Sequence, residues 1–225
     1  MNITDLQQLP EIPPIFGPAK QVAYVVDDID TAIEWWQTRH DVGSFLVTRS
    51  AAPLTNAFYR GKPAERSRVH IGFAYVGEMQ LELIQLIGNT PGLYKEARDR
   101  GLDRVHHYAV LVDDFPAAYN WALDNGFDAV IDAGVDGLAR MSYCENPDSG
   151  LILEIIESNR LTRPYFDGIE KRVHALDETM PIHEFELEEL TPKLGVFVQL
   201  ALFGLKKLFG RIEPTRRKAQ ATVTP

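Results

Sequence analysis

The sequence predicts an α+β protein made of two tandem βαβββ modules and a C-terminal helical extension. Three observations support this prediction. A segment that begins at Gln21 recurs from His107 onward, a second segment centred on Glu82 recurs around Glu154, and both pairs keep the same order along the chain. A unit that occurs twice in this way is typical of a duplicated module.

The repeat is clearest in its first half. Residues 21–35 match residues 107–121 at a constant offset of 86, with six identical positions in fifteen. The later segments, 79–84 and 151–156, match at an offset of 72, so a length difference of 14 residues falls between the two halves. We place this difference in the loop 49–67. The identical pairs of the first half are Ala23/Ala109, Val26/Val112, Asp27/Asp113, Asp28/Asp114, Ala32/Ala118 and Trp35/Trp121.

Each module begins with a strand and continues with a helix. Val22–Val26 and Tyr108–Val112 are continuous apolar runs rich in β-branched residues, which is the pattern of buried strands. The Asp-Asp pairs at 27–28 and 113–114 then stop the strands and offer N-cap carboxylates for the helices that follow. Pro116 suits a first helical turn, because the N–H that proline lacks would have no intrahelical partner there.

The helix of the first module is expected to bury Ile29, Ile33 and Trp36, which are spaced by about one turn. Gly43 and Gly126 are expected to end the two helices. Three shorter strands should follow in each module. The last strands of the two modules are Met79–Leu86 and Leu151–Glu157.

These elements divide the chain into five parts. They are an N-terminal extension (1–19), the first module (20–90), a linker helix (91–104), the second module (105–158) and a C-terminal helical extension with a basic tail (159–225). Within the last part, residues 167–177 and the apolar stretch 194–209 are expected to form helices added to the core.

The repeat places four polar residues in two symmetric pairs. Gln21 and His107 align at the start of the first strand of each module, and Glu82 and Glu154 align within apolar runs of the last strand. An unpaired buried carboxylate is costly, so one that points inward from such a strand requires a metal ion or another cation. Both glutamates could instead lie on an exposed sheet face, but their equivalent positions beside the Gln/His pair favour an inward site.

Several short motifs resemble those of the vicinal-oxygen-chelate superfamily. They are Val-Asp-Asp, the tryptophan-containing helix, Leu-Glu-Leu-Ile, Val-His-His-Tyr-Ala and Leu-Glu-Ile-Ile. The superfamily includes glyoxalase I, methylmalonyl-CoA epimerase, extradiol dioxygenases and fosfomycin- and bleomycin-resistance proteins. The resemblance covers about residues 20–158 and implies the glyoxalase fold. It also implies one divalent metal ion whose protein ligands are Gln21, Glu82, His107 and Glu154.

The implied ligand set suits a hard or borderline divalent ion with open coordination positions, because it holds two carboxylates, an amide oxygen, an imidazole and no thiolate. Zn, Ni, Co, Mn and Mg all stay open. The register of the repeat selects His107 rather than His106 as the ligand. We expect His106 either to point to the opposite face or to orient its neighbour by hydrogen bonding.

The resemblance further implies an enzyme that binds a small carbonyl or acyl-thioester substrate at the metal ion. We expect an isomerase, epimerase or lyase that works through a metal-stabilised enolate, with Glu154 and Glu82 as the catalytic residues that move the proton. The ligand set resembles that of glyoxalase I, whereas the stretch Trp36–Phe45 resembles the epimerase-containing branch. The two resemblances leave the substrate open.

Two other functions are less favoured. A non-catalytic, resistance-type binding protein fits less well, because such family members typically lack the metal ligands that this chain retains. An extradiol-type dioxygenase holds Fe(II) with two histidines and one carboxylate, and this chain has Gln21 where a histidine is needed.

Composition disfavours several classes of protein. A net charge of −9 disfavours sequence-independent binding to nucleic acid. The single cysteine, Cys144, excludes an internal disulfide and fits a reducing compartment. The N-terminus lacks the pattern of a secretory signal, and the chain has no apolar run of about 18 residues, so we expect a cytoplasmic protein.

The apolar stretch 194–209 precedes the basic end of the chain. It can form an amphipathic helix that docks on the protein itself or on the second subunit of a homodimer, and such a helix can also lie on a membrane surface. We favour docking on protein over contact with a membrane.

Overall fold

A computed structural model describes residues 12–52, 54–101, 104–135, 139–160 and 162–186. In this part of the chain, strands and helices follow one another in the order that the repeat predicts. The first module contains β1 (Gln21–Val26), α1 (Ile29–His40), β2 (Phe45–Ala51), β3 (Thr55–Tyr59), β4 (Lys62–Pro63), β5 (Arg68–Val76) and β6 (Met79–Ile87). The helix α2 (Leu93–Arg100) follows. The second module contains β7 (His107–Val112), α3 (Phe115–Asp124), β8 (Asp128–Val135), β9 (Ala139–Glu145) and β10 (Ile152–Glu157).

Together with β11 (Ile182–Glu184) near the end of the described chain, these strands form one mixed sheet in the order β11-β2-β5-β6-β1-β7-β10-β9-β8-β3-β4. The two modules meet at its centre, where β1 and β7 pair antiparallel. Within each module the first strand pairs parallel with the last strand, as β1 does with β6 and β7 with β10. The predicted α+β class and the βαβββ order of both modules are therefore confirmed, while the exact limits of the modules along the chain stay a prediction.

The predicted length difference between the modules is a β-hairpin. Strands β3 and β4 lie within the loop 49–67, and they have no counterpart in the second module. β3 pairs with β8, so the hairpin belongs to the first module by sequence and joins the sheet beside the second module. The offset between the repeats predicted the position of this insertion and not its pairing partner.

The helix starts are capped as predicted. A carboxylate oxygen of Asp28 accepts a hydrogen bond from the backbone N–H of Thr31 at 2.8 Å, and Asp114 does the same for Ala117 at 3.0 Å. The ends differ between the modules. α3 is followed by Gly126 with φ +84°, as expected, whereas α1 ends at Asp41 in the left-handed region with φ 54° and not at Gly43.

Helices cover both faces of the sheet. The outer face, which carries Val22 and Tyr24 of β1, packs against α1 and α3, and Ile29, Ile33 and Trp36 are buried there as predicted. The inner face, which carries Ala23 and Val25, packs against α2 and against α4 (Thr162–Val173). The inner face is therefore enclosed by two helices that lie outside the repeat.

The C-terminal part is only partly the helical extension that the sequence predicts. α4 begins before the predicted residue 167, and a short strand, β11 (Ile182–Glu184), pairs parallel with β2 at the sheet edge. The predicted helix 194–209 and the basic tail lie outside the described residues, as do residues 1–11 of the N-terminal extension. In the described part of the chain, no helix is both long and apolar enough to span a membrane.

Candidate functional site

Three of the four predicted site residues meet on the inner face of the sheet. The His107 Nε2 atom lies 3.1 Å from a carboxylate oxygen of Glu154 and 3.6 Å from one of Glu82. His107 is fully buried, and Glu154 and Glu82 are only 6% and 8% exposed. We call these three side chains the acid–imidazole cluster.

The register of the central strands brings the cluster together. Ala23 on β1 pairs with Glu82 on β6 and with His107 on β7. Ala109 on β7 pairs with Glu154 on β10. A fully buried alanine at both positions leaves space for the larger polar side chains on the neighbouring strands. This packing requirement gives a physical reason for the identity of Ala23 and Ala109 in the repeat.

Gln21, the fourth predicted residue, belongs to a separate hydrogen-bond chain. Its Nε2 atom donates to Oε1 of Gln80 at 2.7 Å, and Nε2 of Gln80 donates to the hydroxyl of Tyr75 at 2.9 Å. Gln21 is buried and lies two residues before Ala23, on the same face of β1. No hydrogen bond of the described residues joins it to the acid–imidazole cluster, so its role as a ligand stays a prediction.

The two carboxylates of the cluster lie in an unfavourable environment for negative charge. Burial, and then the nearby charge of Glu154, raise the pKa of Glu82 well above its usual value. Neither carboxylate accepts a hydrogen bond from any residue that the structure describes. Two such groups side by side require a proton or a cation to offset the cost of their burial.

His106 forms a hydrogen bond with His107 through its ring. The Nδ1 atoms of the two rings are 2.7 Å apart, so one ring donates a proton and the other accepts it. Both rings are buried, and burial followed by the neighbouring His107 lowers the pKa of His106 well below its usual value. Of the two roles that the sequence left open for His106, the structure shows a hydrogen bond to its neighbour.

Three tyrosines that the sequence analysis missed surround the cluster. The hydroxyls of Tyr94 on α2 and Tyr143 on β9 lie 3.2 Å apart, and the ring of Tyr143 contacts that of His107 edge-on. Burial and the charges of Glu82 and Glu154 raise the pKa of Tyr94, Tyr143 and Tyr165. Tyr94 and Tyr165 lie on helices outside the repeat, so the comparison of the two modules offered no signal for them.

The chemistry of the acid–imidazole cluster fits a divalent cation. His107 Nε2 is a buried nitrogen without a hydrogen-bond partner, although two carboxylate oxygens lie within 3.6 Å of it. A cation between these groups would engage the nitrogen and offset both negative charges, and imidazole and carboxylate are common ligands of divalent transition metals. Among the described residues, no three His, Cys, Asp or Glu side chains are placed to hold an ion.

A cavity of about 460 Å³ lies beside the cluster, between the β3–β4 hairpin and the start of α2. Tyr94 belongs to the wall of the cavity and, through Tyr143, to the surroundings of His107. The cavity and the acid–imidazole cluster are therefore connected through Tyr94.

Comparison with known proteins gives one family match. The sequence model of the glyoxalase/bleomycin resistance protein/dioxygenase superfamily matches residues 20–144. A search of curated proteins found no match.

Several solved structures are similar to this chain. Methylmalonyl-CoA epimerase from Mycobacterium tuberculosis is 15% identical, with 68% of this chain and 95% of that chain covered and a TM-score of 0.45. A hypothetical protein from Bacillus halodurans C-125 is 16% identical, with 64% and 95% covered and a TM-score of 0.45. A mutant 4-hydroxymandelate synthase from Streptomyces coelicolor is 11% identical, with 70% and 68% covered and a TM-score of 0.39.

Proposed function

Because the chain belongs to the glyoxalase/bleomycin resistance protein/dioxygenase superfamily, we propose that it is a divalent-metal-dependent isomerase, epimerase or lyase. Its substrate is a small carbonyl compound or acyl thioester, and the reaction passes through an enolate. The observation that carries this proposal is the acid–imidazole cluster, in which one imidazole nitrogen faces two buried carboxylates.

His107, Glu82 and Glu154 would hold the metal ion. The Oε1 atom of Gln21 would be a further ligand, because Nε2 of the same amide is already used by Gln80. When bound, a divalent ion polarises the substrate carbonyl and offsets the negative charge that develops on its oxygen. The contact between the Nδ1 atoms of His106 and His107 fixes the orientation of the imidazole.

The cluster also supplies the base. A carboxylate of Glu82 or Glu154 takes the proton from the carbon next to the carbonyl and returns it to the enolate. Tyr94, Tyr143 and α4 limit the access of water to the reacting carbon.

Metal binding and proton exchange test the proposal together. The purified protein should take up about one divalent ion per chain, as Co²⁺, Mn²⁺, Ni²⁺, Mg²⁺ or Zn²⁺ measured by calorimetry. In D₂O the loaded protein should exchange the C3 protons of unbranched 2-oxo acids, observed by NMR. Glu154→Gln should strongly weaken both the binding of the divalent ion and the exchange of the C3 protons.

Glu157→Gln is the matched control. Glu157 lies on the same strand, β10, and forms an ion pair with Arg140 at the surface, outside the cluster. The proposal fails if the protein takes up no divalent ion, or if the Glu154 and Glu157 variants bind metal equally well. Oxygen consumption with catechols and Fe(II) would instead support a dioxygenase.

A non-catalytic binding protein is the second candidate. The cavity beside Tyr94 favours it, because this space lies outside the acid–imidazole cluster. Such a protein would bind the 2-oxo acids without exchanging their protons. A cytoplasmic location, a small-molecule partner rather than nucleic acid or membrane, and a homodimer remain further proposals, and they rest on the sequence.

A further inference from the structure

The cavity beside the acid–imidazole cluster has mostly apolar walls. They come from the β3–β4 hairpin, the start of β5, the start of α2 and strand β8 of the second module. The apolar residues that line it include Leu54, Phe58, Pro63, Val69, Leu93 and Ile131. Its size lies within the range of pockets that bind small organic molecules.

The polar residues of the walls include Tyr59, Glu65, Arg66 and Ser67, and two of these four are engaged elsewhere. The hydroxyl of Tyr59 donates to the carboxylate of Glu96, and the guanidinium of Arg66 donates to the backbone carbonyl of Ala52 at 3.0 and 2.6 Å. Because most of the wall is apolar, a ligand in the cavity would be held mainly by apolar contact.

The cavity shares one wall residue with the surroundings of the acid–imidazole cluster. Tyr94 forms part of its wall, and the hydroxyl of Tyr94 contacts that of Tyr143, whose ring lies against His107. A molecule that fills the cavity thus contacts Tyr94, which in turn contacts the side chains around the acid–imidazole cluster.

We infer that this cavity holds the apolar body of the substrate, an alkyl chain or an aromatic ring attached to the reacting carbonyl. The carbonyl end would pass Tyr94 and reach Glu82 and Glu154. The substrate class is therefore an apolar carbonyl compound rather than a compact or multiply charged one. The chemistry at the carbonyl end rests on the proposed function, whereas the cavity as the site of the apolar body does not.

A homologous series of ligands tests this inference. Unbranched 2-oxo acids, from pyruvate to 2-oxodecanoate, share one head group with two neighbouring oxygens and differ only in their alkyl chains. Binding is measured by calorimetry for the protein with and without the divalent ion. Each added methylene should raise the affinity by about fourfold until the cavity is full.

Two variants locate the effect. Ala57→Trp adds a large side chain to the cavity wall and should lower the affinity for the long members of the series by at least about tenfold, with a flat dependence on chain length. Phe58→Ala opens the wall at a residue that is 40% exposed, where the fold tolerates the loss, and should weaken the long members only. Ala117→Trp, on the exposed start of α3, is the matched control and should leave the series unchanged.

The outcomes separate this inference from the proposed function. An affinity that does not depend on chain length in the unmodified protein, no binding of any member, or equal effects of Ala57→Trp and Ala117→Trp would overturn the inference. If the protein takes up no metal but the chain-length dependence persists, the proposed function fails and the cavity assignment stands. If metal uptake and proton exchange are present but the affinity does not depend on chain length, the cavity assignment fails and the proposed function stands.

Discussion

Single small residues determine where the charged groups of this protein lie. Ala23 is the strand partner of both Glu82 and His107, and a larger side chain there would displace one of them. The repeat identified the polar residues because Glu82 and Glu154 interrupt otherwise apolar strands. It did not reveal Tyr94, because this residue has no partner in the other module.

At the residue scale, His106 should control the affinity for metal. His106→Phe keeps an aromatic ring beside Tyr94 but removes the Nδ1 atom that contacts His107. We expect the affinity for Co²⁺ to fall by about 10- to 100-fold, because the imidazole ligand loses its orienting hydrogen bond. Calorimetric titration with Co²⁺ measures the change.

His106→Asn provides a test by rescue. Its side-chain amide can replace the hydrogen bond to Nδ1 of His107, although the ring is lost. The affinity for Co²⁺ should therefore be higher than that of the Phe variant. Equal affinities of the Phe variant and the unmodified protein would show that His106 only fills space.

The elements of the fold were predictable to different degrees. Strands β1, β6, β7 and β10 and the helix caps follow from apolar runs and from Asp28 and Asp114, which are local signals. β11 has only three residues, too few for a periodic pattern, and it exists because the edge of β2 offers unpaired backbone groups. The pairing of β3 with β8 depends on the closure of the whole sheet, which no local pattern encodes.

At the element scale, the bulge that lies between Thr48 and Ala51 of β2 should make stability depend on pH. Ser50 has φ 54°, and its backbone N–H donates to Nδ1 of His70 at 3.0 Å. Burial, and then the charge of Arg49, lower the pKa of His70 from 6.5. Neutral His70 accepts this hydrogen bond, so its contribution is present above pH 6.5 and is lost as the pH falls from 6.5 through the lowered pKa of the folded state.

Thermal unfolding between about pH 5 and pH 8 checks this prediction. His70→Asn keeps an acceptor for Ser50 but removes the titrating ring, so its melting temperature should fall less on acidification than that of the unmodified protein. Parallel curves for the two proteins would contradict a role of His70 in the pH dependence.

At the scale of the whole molecule, the candidate site lies where the two modules meet. Glu82 comes from the first module, and His107 and Glu154 come from the second, so neither module holds the acid–imidazole cluster alone. The duplication made this arrangement predictable from the sequence. The covering of the inner face by α2 and α4 was not predictable in this way, because these helices follow the modules rather than repeat within them.

The prediction at this scale concerns the end of the chain. Deletion of residues 190–225 should lower the melting temperature or change the oligomeric state, because we expect the apolar stretch 194–209 to dock on protein. Thermal unfolding and analytical ultracentrifugation measure the two effects. Unchanged stability with lost binding to anionic vesicles would indicate membrane contact instead.

The β3–β4 hairpin affects whether the two modules of this protein can be separated or permuted. Duplicated modules can often be cut apart or permuted, because each copy closes its own core. Here the hairpin is encoded in the first copy and hydrogen-bonded to β8 of the second, so a break between the copies leaves β8 with an open edge and the hairpin without a partner. The two halves of the gene have therefore become interdependent. Separate fragments would have to find each other before either could complete its sheet.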